Sequence, residues 1–181
     1  MKILIAYSSG YGATEEVSEE IKNVILQKNK WSVDVVPIDD VNDIDDYDAL
    51  IIGSSVRADK PLANVRDFFA RYRHELPMKK VALFAVCLTA NNDAGREKVK
   101  KEYLPQLTER YPKIKPIAVA AFGGKIDFDR LNSVMKTLMK RVLEKTGLPT
   151  NGSIDTRDWP SIKSWAEELG DKLENYHEVL A

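Results

Sequence analysis

The sequence predicts an α/β domain in which a parallel β-sheet is covered by helices on both faces. Three observations predict it. Short apolar runs of six to eight residues alternate along the chain with longer amphipathic segments, the pattern of a doubly wound sheet. The runs are apolar nearly throughout rather than at every second residue, as in strands buried on both faces. A length of 181 residues with 44% hydrophobic and 30% charged residues suits one domain, 1–181, with its own core.

Each element follows in order. Residues 2–7 (KILIAY) form the first strand. Residues 13–27 place Val17, Ile21, Val24 and Ile25 at helical spacing. Glu15, Glu16, Glu19 and Glu20 fall in the early turns, where acids complement the positive end of the helix dipole. Residues 31–38 and 48–54 are the second and third strands, the third ending at a glycine. A helix over 62–74, entered through Pro61, turns Val65, Phe68, Phe69 and Tyr72 inward. Residues 80–87 (KVALFAVC) form the fourth and most apolar strand. A polar helix over 94–111 is kinked or interrupted by Pro105. Residues 115–122 form the fifth strand, and 128–145 a long helix. The loose 147–156 segment reads as a surface loop, and 160–176 as the last helix, with Asp158 near its N-cap.

Composition excludes several function classes. The net charge of −1 gives no field directed at nucleic acid. A single cysteine, Cys87, permits no internal disulfide and no Cys-based zinc site. His74 and His177 lack a matched ligand cluster, so no metal site is expected. No apolar run approaches the roughly 18 residues of a transmembrane helix, and the start of the chain lacks the pattern of a signal peptide. A cytoplasmic protein is expected.

In an open α/β sheet, ligands sit beyond the carboxyl ends of the strands. The first strand is followed by Ser8-Ser9-Gly10-Tyr11-Gly12-Ala13-Thr14 and then a helix, a set of hydroxyls and glycines suited to cradling an anion. A Walker loop is excluded, because no lysine lies between Lys2 and Lys22. A dinucleotide fingerprint starts with Gly10 and Gly12, and Asp39 stands where a ribose-binding acid would, but Glu15 occupies the third small position. A terminal phosphate monoester fits a hydroxyl-rich loop best, and a plain capped helix start, with Ser9 or Thr14 near the cap, is the competing explanation. A receiver domain would need acids after the first and third strands, where this chain has Ser8-Ser9 and Gly53-Ser54-Ser55.

This combination resembles the flavodoxin superfamily, whose phosphate loop runs roughly Thr/Ser-x-Thr-Gly-x-Thr. Ser9, Gly12 and Thr14 match, while Tyr11 replaces the middle threonine. The resemblance implies a five-stranded sheet of order 2-1-3-4-5 and non-covalent FMN. It places Ser9, Gly10, Tyr11, Gly12, Ala13 and Thr14 around the phosphate. It also places Ser54, Ser55, Val56, Arg57 and Ala58, with Leu88, Thr89, Ala90 and Asn91, beside the isoalloxazine ring. A narrower likeness covers nearly the whole chain. Ile52-Gly53-Ser54-Ser55-Val56-Arg57 is similar to a stretch of the menaquinone-dependent protoporphyrinogen IX dehydrogenase group. So is Ala121-Phe122-Gly123-Gly124, followed by a basic helix and Asp155-Thr156-Arg157-Asp158-Trp159. That likeness implies an FMN-dependent oxidoreductase working with a quinone or a redox partner protein, against the alternative of a soluble electron carrier.

Several residues sharpen the choice. Neither 56–60 nor 88–93 contains Phe, Tyr or Trp, so aromatic side chains from those loops cannot sandwich a ring. An open ring face suits an enzyme better than a shielded carrier. No side chain is expected to act as nucleophile, because the flavin carries the chemistry. Arg57 reads either as a group raising the flavin's potential from its N1–C2 edge or as a surface arginine paired with Asp59. Cys87, at the end of the most apolar strand, reads as buried and inert. In 128–145, Phe128, Leu131, Met135, Leu138 and Val142 form an apolar stripe, with Lys136, Lys140, Arg141 and Lys145 around it. That helix either faces the core with a solvated side or brings a basic face to anionic lipid or an acidic partner, a peripheral contact at the inner face of the membrane. Near-neutrality is itself a cancellation: 31–56 has seven acids and no base, whereas 124–147 has six bases against three acids.

Overall fold

The computed structural model describes residues 1–127 and 131–178, the side chains at 138, 142, 146 and 176–178 excepted. Strands β1 (Lys2–Ser8), β2 (Ser32–Pro37), β3 (Ala49–Arg57), β5 (Lys80–Val86) and β6 (Ala118–Phe122) form one parallel sheet in the order β2-β1-β3-β5-β6. This is the 2-1-3-4-5 order of the sequence reading. A two-residue strand β4 (Lys60–Pro61) folds back antiparallel on the end of β3. The central strands are buried almost throughout because helices cover both faces.

On one face, α1 (Ala13–Lys28) and α5 (Trp159–Glu178) pack Val17, Ile21, Ile162 and Leu169 against Ile3, Ile5, Ile51 and Phe84. Trp165 closes that cluster edge-on to Phe122, with ring centroids 5.7 Å apart. On the other face, α2 (Ala63–Arg71) brings Val65, Phe68 and Phe69 onto Leu4, Leu50, Ile52 and Leu83. The segment after β5 is helical only in pieces. Helix α3 (Asp93–Lys98) passes into a π-helical turn, Val99–Tyr103, and then a 3₁₀ turn, Leu104–Leu107, where Pro105 can donate no backbone N–H. As expected, Asp158 caps α5: its carboxylate accepts from the Ser161 N–H at 3.4 Å and the Ser161 hydroxyl at 2.5 Å.

Two expectations need correction. The 147–156 segment is not simply a loop, because Ser153–Asp155 forms strand β8, antiparallel to β7 (Lys125–Asp127). With Ile126 and Ile154 as the apolar members of a three-residue pairing whose strands flank α4, no periodicity announces it. Helix α4 (Ser133–Thr146) follows β7 and begins later than the expected 128–145 helix: Asn132 caps it, accepting from the Met135 N–H at 2.9 Å, and 128–130 lie outside the described residues. Leu131, Leu143, Ile126 and Ile154 join Leu88 in a small separate core, so β7, β8 and α4 form an extension seated on the loop after β5.

The third strand also runs past its glycine. Gly53 lies mid-strand under the fully buried Phe84 ring, and a Cβ there would stand 2.2 Å from Phe84 Cζ. Glycine lets the ring lie flat on the sheet. Gly53→Ala is therefore expected to cost about 1–3 kcal/mol through overpacking, read as a lower urea midpoint. An unchanged midpoint would contradict this packing.

Candidate functional site

The first loop leaves β1 at Ser8 and enters α1 at Ala13. Gly12 precedes the helix with φ 84°, a left-handed conformation that glycine adopts without strain, and no side chain caps the helix start. The Thr14 hydroxyl, instead of capping, shares a 2.8 Å hydrogen bond with Ser55 Oγ, and the Gly10 N–H donates to that Ser55 oxygen at 3.3 Å. Ser9 Oγ is buried and has no hydrogen-bond partner. The capped-helix explanation therefore fails. An uncapped helix start beside an orphaned buried hydroxyl is a place prepared for an anion.

The second loop is the β3–β4 hairpin. Its two central residues, Ala58 and Asp59, have φ 49° and 61°, the twist of a tight hairpin turn made without glycine. Two groups hold the strained turn from outside. The Tyr103 hydroxyl donates to Asp59 Oδ1 at 2.6 Å, and Gln106 Nε2 donates to the Asp59 carbonyl at 3.1 Å. Burial and the neighbouring Asp59 carboxylate push the Tyr103 phenol well above its ordinary range, so it remains a donor. Ser54 is spent on structure: it donates to the Ser55 carbonyl and accepts from the Leu62 N–H.

These loops, the third loop and the extension enclose one cleft. Of the residues expected from sequence, Gly10, Tyr11, Ala13, Ser55, Val56, Arg57, Ala58, Leu88 and Thr89 line it. Ser9, Gly12, Thr14, Ser54, Ala90 and Asn91 belong to the same three loops but do not line it. Asp39, the candidate ribose acid, is not at the cleft and accepts from Asn64 at 2.8 Å. The sequence reading missed the opposite wall, formed by Gly124, Lys125, Ile126, Met135 and Met139. Close approach explains Gly124, because a Cβ there would stand 2.9 Å from the backbone at Cys87 and Leu88. Cys87 is buried at the cleft floor, and burial pushes its thiol up to about 11, which leaves it protonated and inert.

An ionic cluster fixes the extension to the first helix. The Arg157 side chain is 2% exposed and embraces Asp155 through Nε at 2.9 Å and Nη2 at 2.6 Å. Its Nη1 reaches Glu16 in the first turn of α1 at 2.8 Å, and Lys125 reaches the same carboxylate at 3.2 Å. These bonds hold the carboxyls of Glu16 and Asp155 below their ordinary values. Among the described residues, no group of His, Cys, Asp and Glu is placed to hold a metal ion, and no helix is long and apolar enough to cross a membrane.

Comparison with known proteins agrees with this geometry. The family model described as the flavodoxin domain matches residues 4–153. Protoporphyrinogen IX dehydrogenase [quinone] of Leishmania major is 26% identical over 176 residues, covering 93% of this chain and 74% of that protein. The Escherichia coli K12 protein of that name is 23% identical over 179 residues, covering 93% and 94%. Among solved structures, a flavodoxin of Streptococcus pneumoniae TIGR4 superposes with a TM-score of 0.59 at 16% identity, covering 95% of this chain and 99% of that one.

The ionic cluster has a pH signature. Both carboxyls titrate lower in the folded protein than in the unfolded chain, from ordinary values of 4.5 for Glu16 and 3.8 for Asp155. Their contribution is thus complete above those values and is lost as pH falls through the folded ones. Glu16→Gln should show a smaller drop in urea midpoint between about pH 6 and pH 3 than the parent protein. Parallel pH curves would show that the link adds nothing to stability.

Proposed function

The chain belongs to the flavodoxin-domain family, and on that premise we propose that it is an FMN-dependent oxidoreductase resembling protoporphyrinogen IX dehydrogenase. It would pass electrons from a small reduced substrate to a quinone or a redox partner protein. The cofactor fits what the loops offer. Ser9 Oγ lacks a partner, the start of α1 is uncapped, and Gly10 and Gly12 allow close backbone approach, as a phosphate requires. FMN, when bound, supplies the redox chemistry, taking up and giving back electrons as hydride or singly.

The chain's own residues bind, orient and exclude water. Thr14 and Ser55 tie the phosphate loop to the hairpin loop, so the two cannot shift independently. Val56, Leu62 and Leu88 on one side and Ile126, Met135 and Met139 on the other form a largely apolar cleft. The observation that carries an enzyme reading is the make-up of this second wall. Flexible thioether and aliphatic groups line it, the loops at 56–60 and 88–93 bring no aromatic ring, and such surfaces adapt to a second molecule beside the cofactor. The basic side of α4, with Lys140, Arg141 and Lys145, and the exposed Val134 are proposed to contact anionic lipid, where a quinone resides.

Purified protein should carry FMN and couple oxidation of protoporphyrinogen to menaquinone reduction, and should sediment with anionic vesicles at low salt. Protein that holds FMN but turns over no quinone would favour a soluble electron carrier instead. Failure to take up FMN would overturn both readings.

A further inference from the structure

We infer that Arg57 is a phosphate-binding residue, a cation that the hairpin loop lends to the phosphate loop and that makes the site select FMN over riboflavin. The inference rests on the FMN reading above and goes beyond it in assigning the site's charge complement to one side chain.

Position comes first. Arg57 is the last residue of β3, and its pairing with Lys60 across the hairpin fixes its backbone at the cleft. Its guanidinium reaches across to the phosphate loop: a Cβ built on Gly10 would stand 3.6 Å from Arg57 Nη2. Gly10 is itself tied to Ser55, two residues before Arg57, so the approach is braced on both sides.

Commitment comes second. The obvious partner for Arg57 is Asp59, but that carboxylate accepts from the Tyr103 hydroxyl at 2.6 Å. The other cation at the cleft, Lys125, is engaged by Glu16. Among the described residues the Arg57 guanidinium has no ion pair and no hydrogen bond, and the residue is exposed at the cleft mouth. A guanidinium held over an anion cradle without a partner is poised for a phosphate oxygen.

Need comes third. The phosphate loop itself offers only neutral donors: the hydroxyls of Ser9, Tyr11 and Thr14 and backbone N–H groups. A phosphate monoester carries about −1.5 to −2 charges near neutral pH. Glu15 and Glu16 stand in the first turn of the same helix and oppose that charge. Glu16 is neutralised by Arg157 and Lys125, whereas Glu15 has no cation partner among the described residues. Arg57 completes the balance from the opposite loop.

The test compares ligands that differ only in the phosphate. Dissociation constants for FMN and riboflavin would be measured by flavin fluorescence on the parent protein, Arg57→Ala and Arg57→Lys, from about 20 to 500 mM NaCl. Arg57→Ala should weaken FMN about tenfold at low salt while changing riboflavin by less than about twofold. The FMN difference should shrink as salt rises, and Arg57→Lys should restore part of it. Equal weakening of both ligands would place Arg57 at the ring instead and overturn the inference. So would unchanged FMN binding in Arg57→Ala. Parent protein that binds no FMN would overturn the cofactor reading itself, an outcome separate from the other two.

Discussion

The second wall of the cleft depends on one buried guanidinium. Arg157 is almost wholly removed from water, stacked with its carbon 4.6 Å from the centroid of the Trp159 ring, and every nitrogen is directed at a carboxylate. A cation in such a place is tolerable only when fully paired. Its partners come from distant stretches of chain, Asp155 from β8 and Glu16 from the first turn of α1. The same contact that satisfies Arg157 therefore fastens the β7–β8–α4 extension to the helix that begins at the phosphate loop. Loss of the guanidinium would leave Asp155 without its cation and Glu16 with Lys125 alone, and would loosen the wall.

The rest of the site is a series of similar ties. Ser55 joins the first loop to the second, Tyr103 and Gln106 hold the strained Ala58–Asp59 turn, and Gly124 lets the extension sit directly on the backbone of the third loop. These ties hold the loops in place before any ligand arrives, which limits the energy that binding loses to ordering them. What adapts is the thioether wall. A stiff cradle for a phosphate facing a compliant apolar surface suits a site that keeps its cofactor and exchanges a second molecule.

How much of this was legible in the sequence follows from range. The parallel sheet, its strand order and the phosphate loop depend on local patterns: apolar runs, and Ser9, Gly12 and Thr14 at fixed offsets after the first strand. Those patterns are written within a few residues of each other. The opposite wall is not. Glu16 and Arg157 are 141 positions apart, and nothing near either one marks the other as its partner. Met135 fell within an apolar stripe that reads equally well as packing on a sheet, and Met139 fell outside it. An amphipathic helix looks the same in sequence whether it covers a core or a cleft. Ala58 and Asp59 were hidden for the opposite reason. Tight hairpin turns are usually announced by glycine or asparagine, and here Tyr103, more than forty residues away in a π-helical turn, supplies the restraint instead.

If the extension forms the second wall of the flavin cleft, the four methionines should sense the flavin unequally. Met135 and Met139 line the cleft, while Met1 and Met78 lie at the opposite end of the sheet, just before β1 and β5. In protein carrying ¹³C-labelled methionine methyls, assigned by single Met→Leu substitutions, FMN is titrated and the methyl resonances are followed. Ring-current shifts are expected at Met135 and Met139, with Met1 and Met78 unmoved. Saturable FMN binding that leaves Met135 and Met139 unshifted would contradict that placement of the extension.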